Sequence, residues 1–453
     1  MKILVLAKVI NGEINPFDES ALECGLSLGD DVTVLTMGPK NNEDVLKPLT
    51  RLGAKVTLIS DSIFAGSDTL ATSYILSTAI KKMNYDLIIA GRQSVDGDTA
   101  QVGPMVSKML GINLITNAMC VEVTGENVTA DTRAGKESVF LPALVTVERG
   151  YVLRFPSIFS KQGEVTVIDN SYISCDKEKC GFLGSPTRVI ETFENEKGKR
   201  KCKFISFEEL PALLEELNNK TKTENTDISK ISKLNSVWAV GEEVLEKAHE
   251  IAENVVFIEK TSPDEISKRA IKEKPDVILW NADLWGRKNA PVTAVILNTG
   301  LCADCTELET DGENFYMYRP ARGGSVYAKV KCLTKPQMAT VRTKQASSDI
   351  LVAGGKGISE NMESLKAFAD KIGAELCASR GLVDMGKAPY EMQVGLTGKT
   401  VSPKIYIAVG ISGAVHHTCA IEGADTVIAI NPDKDARIFD YADYGICDKF
   451  DYQ

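Results

Sequence analysis

The sequence predicts an α/β protein, with two doubly wound parallel-sheet nucleotide-type domains followed by a C-terminal α/β module. Three observations predict it. Short β-branched runs alternate with amphipathic helical patterns, which is the signature of a parallel sheet covered on both faces. That alternation breaks off and restarts twice along the chain. The 453 residues are enough for roughly two to four domains, each burying its own core.

The elements follow in order. In residues 1–170 the strand-like runs are Ile3–Ala7, Val32–Thr36, Val56–Ile59 and Leu87–Ala90. Ala21, Leu22, Leu26 and Leu28 form one apolar helix face between them, and Leu70, Tyr74, Ile75 and Ile80 form another. From about residue 121 the helical patterns stop, and Val121–Val123, Val145–Val147 and Val165–Ile168 are expected as strands added at a sheet edge. Residues 171–217 are expected to form an extended arm that ends in a helix over Phe207–Leu217. Residues 218–235 have no aromatic and few apolar side chains, which marks them as a linker. The βα rhythm restarts over residues 236–345, with strands Val237–Val240, Val255–Ile258 and Val277–Trp280 and helices at 242–253 and 263–273. The third module, residues 346–453, has strands Ile350–Ala353, Ile405–Val409 and Thr426–Ile430.

Composition narrows the function classes. Acidic residues outnumber basic ones 62 to 52, a formal charge of −10 with no compensating basic run, which argues against nucleic acid. Eleven scattered cysteines, an odd number, suit reduced thiols in a cytoplasmic protein. The opening apolar run is cut by Lys8 and is expected to be a strand, not a leader. No apolar run approaches the roughly 20 residues of a membrane span.

Several segments carry chemistry. Residues 350–365, ILVAGGKGISENMESL, run from a strand through glycines into a helix, a backbone suited to an anion. Gly398-Lys399-Thr400 mimics the end of a phosphate-binding loop, but position 393 is Gln where that motif needs Gly. Cys302 and Cys305 form a lone C-x-x-C, and no second pair exists to complete a zinc or iron–sulfur site, so no metal is expected. His416 and His417, two of only three histidines, follow a strand end and a Ser-Gly-Ala turn, where ligands lie in this fold class. One of them could equally be an ordinary core histidine. After Leu87–Ala90, the segment GRQSVDGDTAQVGP carries more small and polar residues than a helix cap by Asp98 or Thr99 needs, so a nucleotide is expected there.

Taken together, these segments resemble the electron transfer flavoproteins. GRQSVDGDTAQVGP (91–104), NPFDESALECGLSL (15–28) and LGSPTRVIETF (183–193) are similar to the family's beta subunit. TGLCADCTEL (299–308) and KPQMATVR (335–342) resemble the first domain of the alpha subunit. SRGLVDMG (379–386), QVGLTGKTVSPKIYIAVGISGAVHH (393–417), AIN (429–431) and ADYGI (442–446) resemble its FAD domain. The chain therefore looks like a beta–alpha fusion. The resemblance implies a beta-like domain over 1–170, its arm over 171–217, a linker over 218–235, an alpha-like first domain over 236–345 and an FAD domain over 346–453.

The resemblance also implies the site residues. FAD would lie against Lys356, Ser379, Arg380, Gln393, Val394, Gly395, Thr397, Ser412, Gly413, Ala414, His416, His417, Asn431 and Asp448. Arg380 and His417 would meet the charge that develops on the reduced flavin. A cation about 4 Å away contributes on the order of 4 kcal/mol at an effective dielectric near 20, or roughly 0.2 V at about 59 mV per tenfold. A second nucleotide, FAD or AMP, would lie against Ala7, Asn15, Gln93, Asp96, Gly97, Asp98, Thr99, Ala100, Gln101 and Val102. The Asp96–Val102 stretch and Tyr390-Glu391-Met392 resemble the two-FAD, electron-bifurcating members, which oxidise NADH and reduce ferredoxin. Arg154–Ile158 resembles the recognition loop, with Phe155 and Ile158 facing an acyl-CoA dehydrogenase-like flavoenzyme, although Phe155 could equally be a core residue. The fusion would act as a monomer equivalent to a heterodimer, with no membrane or nucleic acid partner.

The sequence departs from the family at Lys356 (usually Arg), Leu396 (usually Gln), His416 (usually Gln) and Cys302 (usually Thr). The segments between Ala7 and Asn15 and near 343–349 are short. Two other classes remain compatible with the fold alone: a non-redox adenine-nucleotide-binding protein, and a self-contained NAD(P)H dehydrogenase.

Overall fold

A computed structural model describes residues 1–194, 199–219, 233–343, 348–395 and 398–450. Most of the expected linker, part of the 343–349 connection, Leu396 and Thr397 therefore lie outside the described residues. The chain divides into two compact units. The first is Met1–Thr192 with Ile231–Arg322 and Ala328–Arg342; the second is Phe193–Lys230 with Gly323–Tyr327 and Thr343–Gln453.

In the first unit, residues 1–192 build a nine-stranded sheet. Its order is Val165–Ile168, Lys55–Ile59, Asp31–Met37, Lys2–Ala7, Leu87–Gly91, Ala143–Val147, Asn113–Thr124, Asn127–Thr132, Gly135–Phe140. The strands pair in parallel as far as Asn113–Thr124, and the last two continue as an antiparallel meander. The chain order reverses between Lys2–Ala7 and Leu87–Gly91. In an open α/β sheet, a crevice for ligands opens at that point, beyond the carboxyl ends of the strands. Burial on both faces explains why these strands are continuous apolar runs and not alternating ones.

One expected edge strand proves to be central. Ala143–Val147 is buried at every position and pairs in parallel with Leu87–Gly91 and Asn113–Thr124. Its unbroken ALVTV run is the mark of a doubly covered strand. Val165–Ile168 does lie at the edge, paired among the described residues only with Lys55–Ile59. Val121–Val123 belongs to a longer strand, Asn113–Thr124, that begins inside the sheet and ends in the meander.

The second lobe of this unit has five parallel strands in the order Ala252–Ile258, Leu234–Val240, Val277–Asn281, Gln337–Val341, Leu301–Cys305. The helix expected at 242–253 is shorter, Leu245–Ile251, because Ala252 already starts the next strand. Pro263–Glu273 is a helix with Pro at its start and Ser262 capping the Glu265 amide. The hairpin Glu307–Thr310 and Phe315–Ala321 extends from this lobe. Lys108–Asp264 (3.0 Å) and Lys288–Glu137 (2.7 Å) link the two lobes.

The second unit has a seven-stranded parallel sheet: Lys203–Phe204, Tyr444–Ile446, Thr426–Ile430, Ile405–Val409, Ile350–Gly354, Glu375–Ser379, Gln393–Val394. Its switch point lies between Ile350–Gly354 and Ile405–Val409. Helix Leu210–Asn219 buries Leu210, Leu214 and Leu217 in the core of this sheet. The segment expected as one arm, 171–217, is thus divided at Thr192/Phe193. Its first part is bound into the first unit, because Asp68 Oδ2 accepts the backbone N–H and hydroxyl of Thr187 (2.9 and 2.7 Å).

Candidate functional site

A cavity of about 380 Å³ opens at the switch point of the nine-stranded sheet. Ala7, Asn15, Gln93, Gly97, Thr99, Ala100, Gln101 and Val102 line it. The loop after Leu87–Gly91 forms one wall and is fixed by its own polar groups. Asn15, fully buried, donates to Gln93 O (2.9 Å) and accepts from Val95 N (3.2 Å). Lys8 Nζ pairs with Asp96 Oδ2 at 2.7 Å, and the Gln93 amide donates to Asp98 Oδ1 at 2.8 Å. Asp96 and Asp98 therefore brace the loop and are not part of the cavity wall. The cap expected from Asp98 or Thr99 is also corrected: the next helix is Val102–Leu110, with Gln101 at its N-cap position. Asp98 and Ala100 hold left-handed backbone, at φ 51° and 54°.

Sequence reasoning missed Asp18 in this wall. Asp18 Oδ2 accepts Lys8 N at 2.8 Å, and burial pushes its carboxyl up to about 7, against hydrogen bonds from Asn15, Lys8 and Gly91 that favour the charged form. Asp18 carries little signal in the sequence: it stands beside Glu19 in the first turn of helix Pro16–Leu28, where acids are ordinary helix-dipole residues.

In the second unit the expected flavin residues gather at the carboxyl ends of the sheet. Ser379 ends the strand Glu375–Ser379 and Arg380 opens the helix Arg380–Asp384, both half-buried. Lys356, Ser412, Ala414 and His416 are exposed on neighbouring turns. Gly355 and Gly410 pack backbone on backbone: a Cβ on Gly355 would lie 2.0 Å from Gly410 O. Gln393 and Val394 are buried, and the turn beyond them closes through Lys399 N to Gln393 O (2.7 Å) and Gly395 N to Lys399 O (3.1 Å). Arg380 Nε lies 3.1 Å from Asp384 Oδ2, which offsets part of its charge. Asp448 is exposed, with Oδ1 accepting Lys449 N.

Two expected contacts are spent inside the fold. His417 is buried, with Nδ1 3.1 Å from Val394 O and Nε2 2.8 Å from Tyr406 Oη. A carbonyl only accepts, so Nδ1 carries the proton and Nε2 accepts from the tyrosine. Burial pushes the imidazole down to about 4. His417 is therefore neutral and holds the Val394 turn, and it does not supply the charge expected of it. Asn431 likewise donates to Ile411 O (2.9 Å) and accepts from Asp433 N (2.9 Å), bracing the turn into Ser412 and Gly413. A polar, partly cationic rim over such closely packed turns fits a bound anionic dinucleotide.

Phe155 is 97% exposed and Ile158 85% exposed, so the core reading of Phe155 falls. Their loop is tethered by Arg154 to Glu23 at 2.7 Å. Cys302 and Cys305 lie buried on one strand, and among the described residues no group of three His, Cys, Asp or Glu could hold a metal. Nor is any described helix long and apolar enough to cross a membrane.

The fold defines an α/β protein whose parallel sheets each carry a switch point, with a cavity open at that of the nine-stranded sheet. Comparison with known proteins makes this specific. The electron transfer flavoprotein domain model matches residues 3–171 and again 263–366, and the electron transfer flavoprotein FAD-binding domain model matches 345–422. The chain belongs to the electron transfer flavoprotein family. It is 40% identical over 228 residues to the "Electron transfer flavoprotein subunit alpha" of Thermoanaerobacterium thermosaccharolyticum, covering 40% of this chain and 69% of that one. It is 37% identical over 215 residues to the "Electron transfer flavoprotein subunit beta" of Megasphaera elsdenii, covering 43% and 80%. "Protein FixB" of Azorhizobium caulinodans is 38% identical over 221 residues, covering 38% of this chain and 60% of that one.

Proposed function

We propose that the chain joins a beta-like and an alpha-like electron transfer flavoprotein in one polypeptide and passes electrons through FAD between dehydrogenases and other redox proteins. The observation that carries this reading is the double match of one domain model, at 3–171 and 263–366, with the FAD-binding model at 345–422 overlapping the end of the second. The division into 1–170, 171–217, 218–235, 236–345 and 346–453 follows from it as a proposal. FAD supplies the one-electron chemistry when bound. The chain's own residues orient it: Lys356, Ser379 and Arg380 present polar and positive groups, while the turns at Gln393–Gly395 and Ser412–Ala414 form the floor. Thr397, Asp448 and the exposed His416 complete the proposed contact set.

The cavity at the first switch point is proposed to hold a second adenine nucleotide. The bifurcating reading puts FAD there, to oxidise NADH and divide the electrons between ferredoxin and the C-terminal flavin. The simple-carrier reading puts AMP there. The volume of about 380 Å³ favours the second, since it lies near the lower end of ligand pockets, about 300–1,000 Å³. The exposed Phe155 and Ile158 support docking of a flavoenzyme of the acyl-CoA dehydrogenase type. A monomeric, cytoplasmic protein is proposed with it.

The deciding measurement is the nucleotide content after denaturing extraction. Two FAD per chain supports bifurcation, and one FAD with one AMP supports the simple carrier. A colourless protein that releases adenine nucleotide without flavin would overturn both in favour of a non-redox nucleotide-binding protein. Steady NADH turnover on a small substrate without any partner protein would point to a self-contained dehydrogenase.

A further inference from the structure

The loop after Leu87–Gly91 is held from behind by the second lobe of the same unit. The Gln101 amide donates to Leu301 O at 3.1 Å, and its oxygen accepts from Thr69 Oγ1 at 2.7 Å. Arg319, on the strand Phe315–Ala321, donates from Nη1 to Gly97 O at 2.6 Å and from Nε to Ala303 O at 2.8 Å. Between these two anchors the backbone takes its left-handed turns at Asp98 and Ala100. An L-residue avoids that conformation unless its surroundings impose it.

Arg319 is more than a clamp. It is only 7% exposed, and its Nη2 has no hydrogen-bond partner among the described residues. Its described bonds go to carbonyls, and no carboxylate among the described residues pairs with it. A guanidinium cannot shed its proton, and a buried cation without a counter-charge is costly. A clamp for two carbonyls needs only neutral donors. The residue it holds, Gly97, lines the cavity. An anion in that cavity would give the guanidinium the counter-charge that the described residues do not.

We propose that Arg319 is a positioning residue of the second nucleotide site: it fixes the Gly97–Ala100 turn and sets a positive charge behind it for the phosphate of the bound nucleotide. The inference rests on the reading of this cavity as an adenine-nucleotide site. It assigns the alpha-like lobe a share in a site whose other polar groups come from the beta-like lobe.

The test is calorimetric titration of the full chain, FAD retained in the C-terminal domain and the second site emptied, with AMP and with adenosine. Arg319→Gln keeps a donor for Gly97 O but removes the charge. It should weaken AMP by about tenfold or more while leaving adenosine within about twofold, and Arg319→Lys should hold AMP within about threefold of wild type. AMP binding unchanged in Arg319→Gln, or AMP and adenosine weakened alike, would overturn the inference and leave the reading of the cavity standing. A wild-type chain that binds neither AMP nor FAD there would overturn both. If Arg319→Gln fails to fold, the wild type decides: a margin of AMP over adenosine of about tenfold or more supports the charge, and equal affinities overturn it.

Discussion

The switch points of the nine-stranded and the seven-stranded sheets are built on one plan, yet they bury opposite kinds of titratable group. Under the first lies Asp18, an acid whose carboxyl burial pushes up to about 7. Under the second lies His417, a base whose imidazole burial pushes down to about 4. Both shifts come from desolvation, which disfavours whichever form is charged. Their linkage to stability runs in opposite directions. Folded Asp18 holds its proton more tightly than the unfolded chain does, so the first unit loses stability as pH rises from about 4 to 7. Folded His417 resists its proton, so the second unit loses stability as pH falls from about 6.5 to 4. These two groups thus pull the pH dependence of their units in opposite directions.

The largest test of that contrast is Asp18→Asn. All three tryptophans, Trp238, Trp280 and Trp285, belong to the first unit, so intrinsic fluorescence reports that unit selectively. The difference in unfolding free energy between wild type and Asp18→Asn should shift by about 4 kcal/mol between pH 4 and 7, with the wild type losing ground as pH rises. Parallel profiles for the two proteins would remove Asp18 from the account. The substitution also leaves one of the two backbone donors that Asp18 accepts, Lys8 N or Gly91 N, without its acceptor, so the variant should be the less stable protein at pH 5.

The second test is His417→Asn, which can keep the donor to Val394 O and removes the titration. The wild type should lose about 3 kcal/mol relative to the variant in the second unit between pH 6.5 and 4. Peptide-resolved hydrogen exchange across Ile405–Val409 and Thr426–Ile430 reads it. If exchange there accelerates equally in both proteins on acidification, another group controls the unit.

Neither buried group's state was legible in the sequence, whereas the sheets around them were. Ile405–Val409 and Thr426–Ile430 are found at the expected residues because each is a short apolar run between turn residues. Val145–Val147, part of the strand Ala143–Val147, is central and not at the edge because the same kind of run does not say which neighbours it has; order in a sheet is a tertiary fact. The motif around His416 and His417 located a site, but it could not reveal that Tyr406 and Val394 O occupy both nitrogens of His417. Arg319 escaped entirely. Its signal is a buried cation whose described bonds go to carbonyls, and burial is invisible until the hairpin Glu307–Ala321 is folded against Gly97.

The smallest expected effect concerns charge at the proposed flavin. With His417 neutral, Arg380 is the cation left of the two expected there, and it is half-exposed and ion-paired with Asp384 at 3.1 Å. The full effect of roughly 0.2 V for an unshielded charge should shrink accordingly. Arg380→Ala should lower the one-electron potential of the C-terminal FAD by about 60 mV, near 1.4 kcal/mol, and leave most FAD binding intact. Asp384→Asn should move it the other way by a similar amount, because it releases the charge that the carboxylate offsets. A photoreduction titration measures both. Opposite signs would establish that this crevice tunes its cofactor through a partly neutralised surface pair, in contrast to the buried guanidinium behind the other crevice. Equal potentials in wild type and both variants would place the tuning in the backbone turns at Val394 and Ser412.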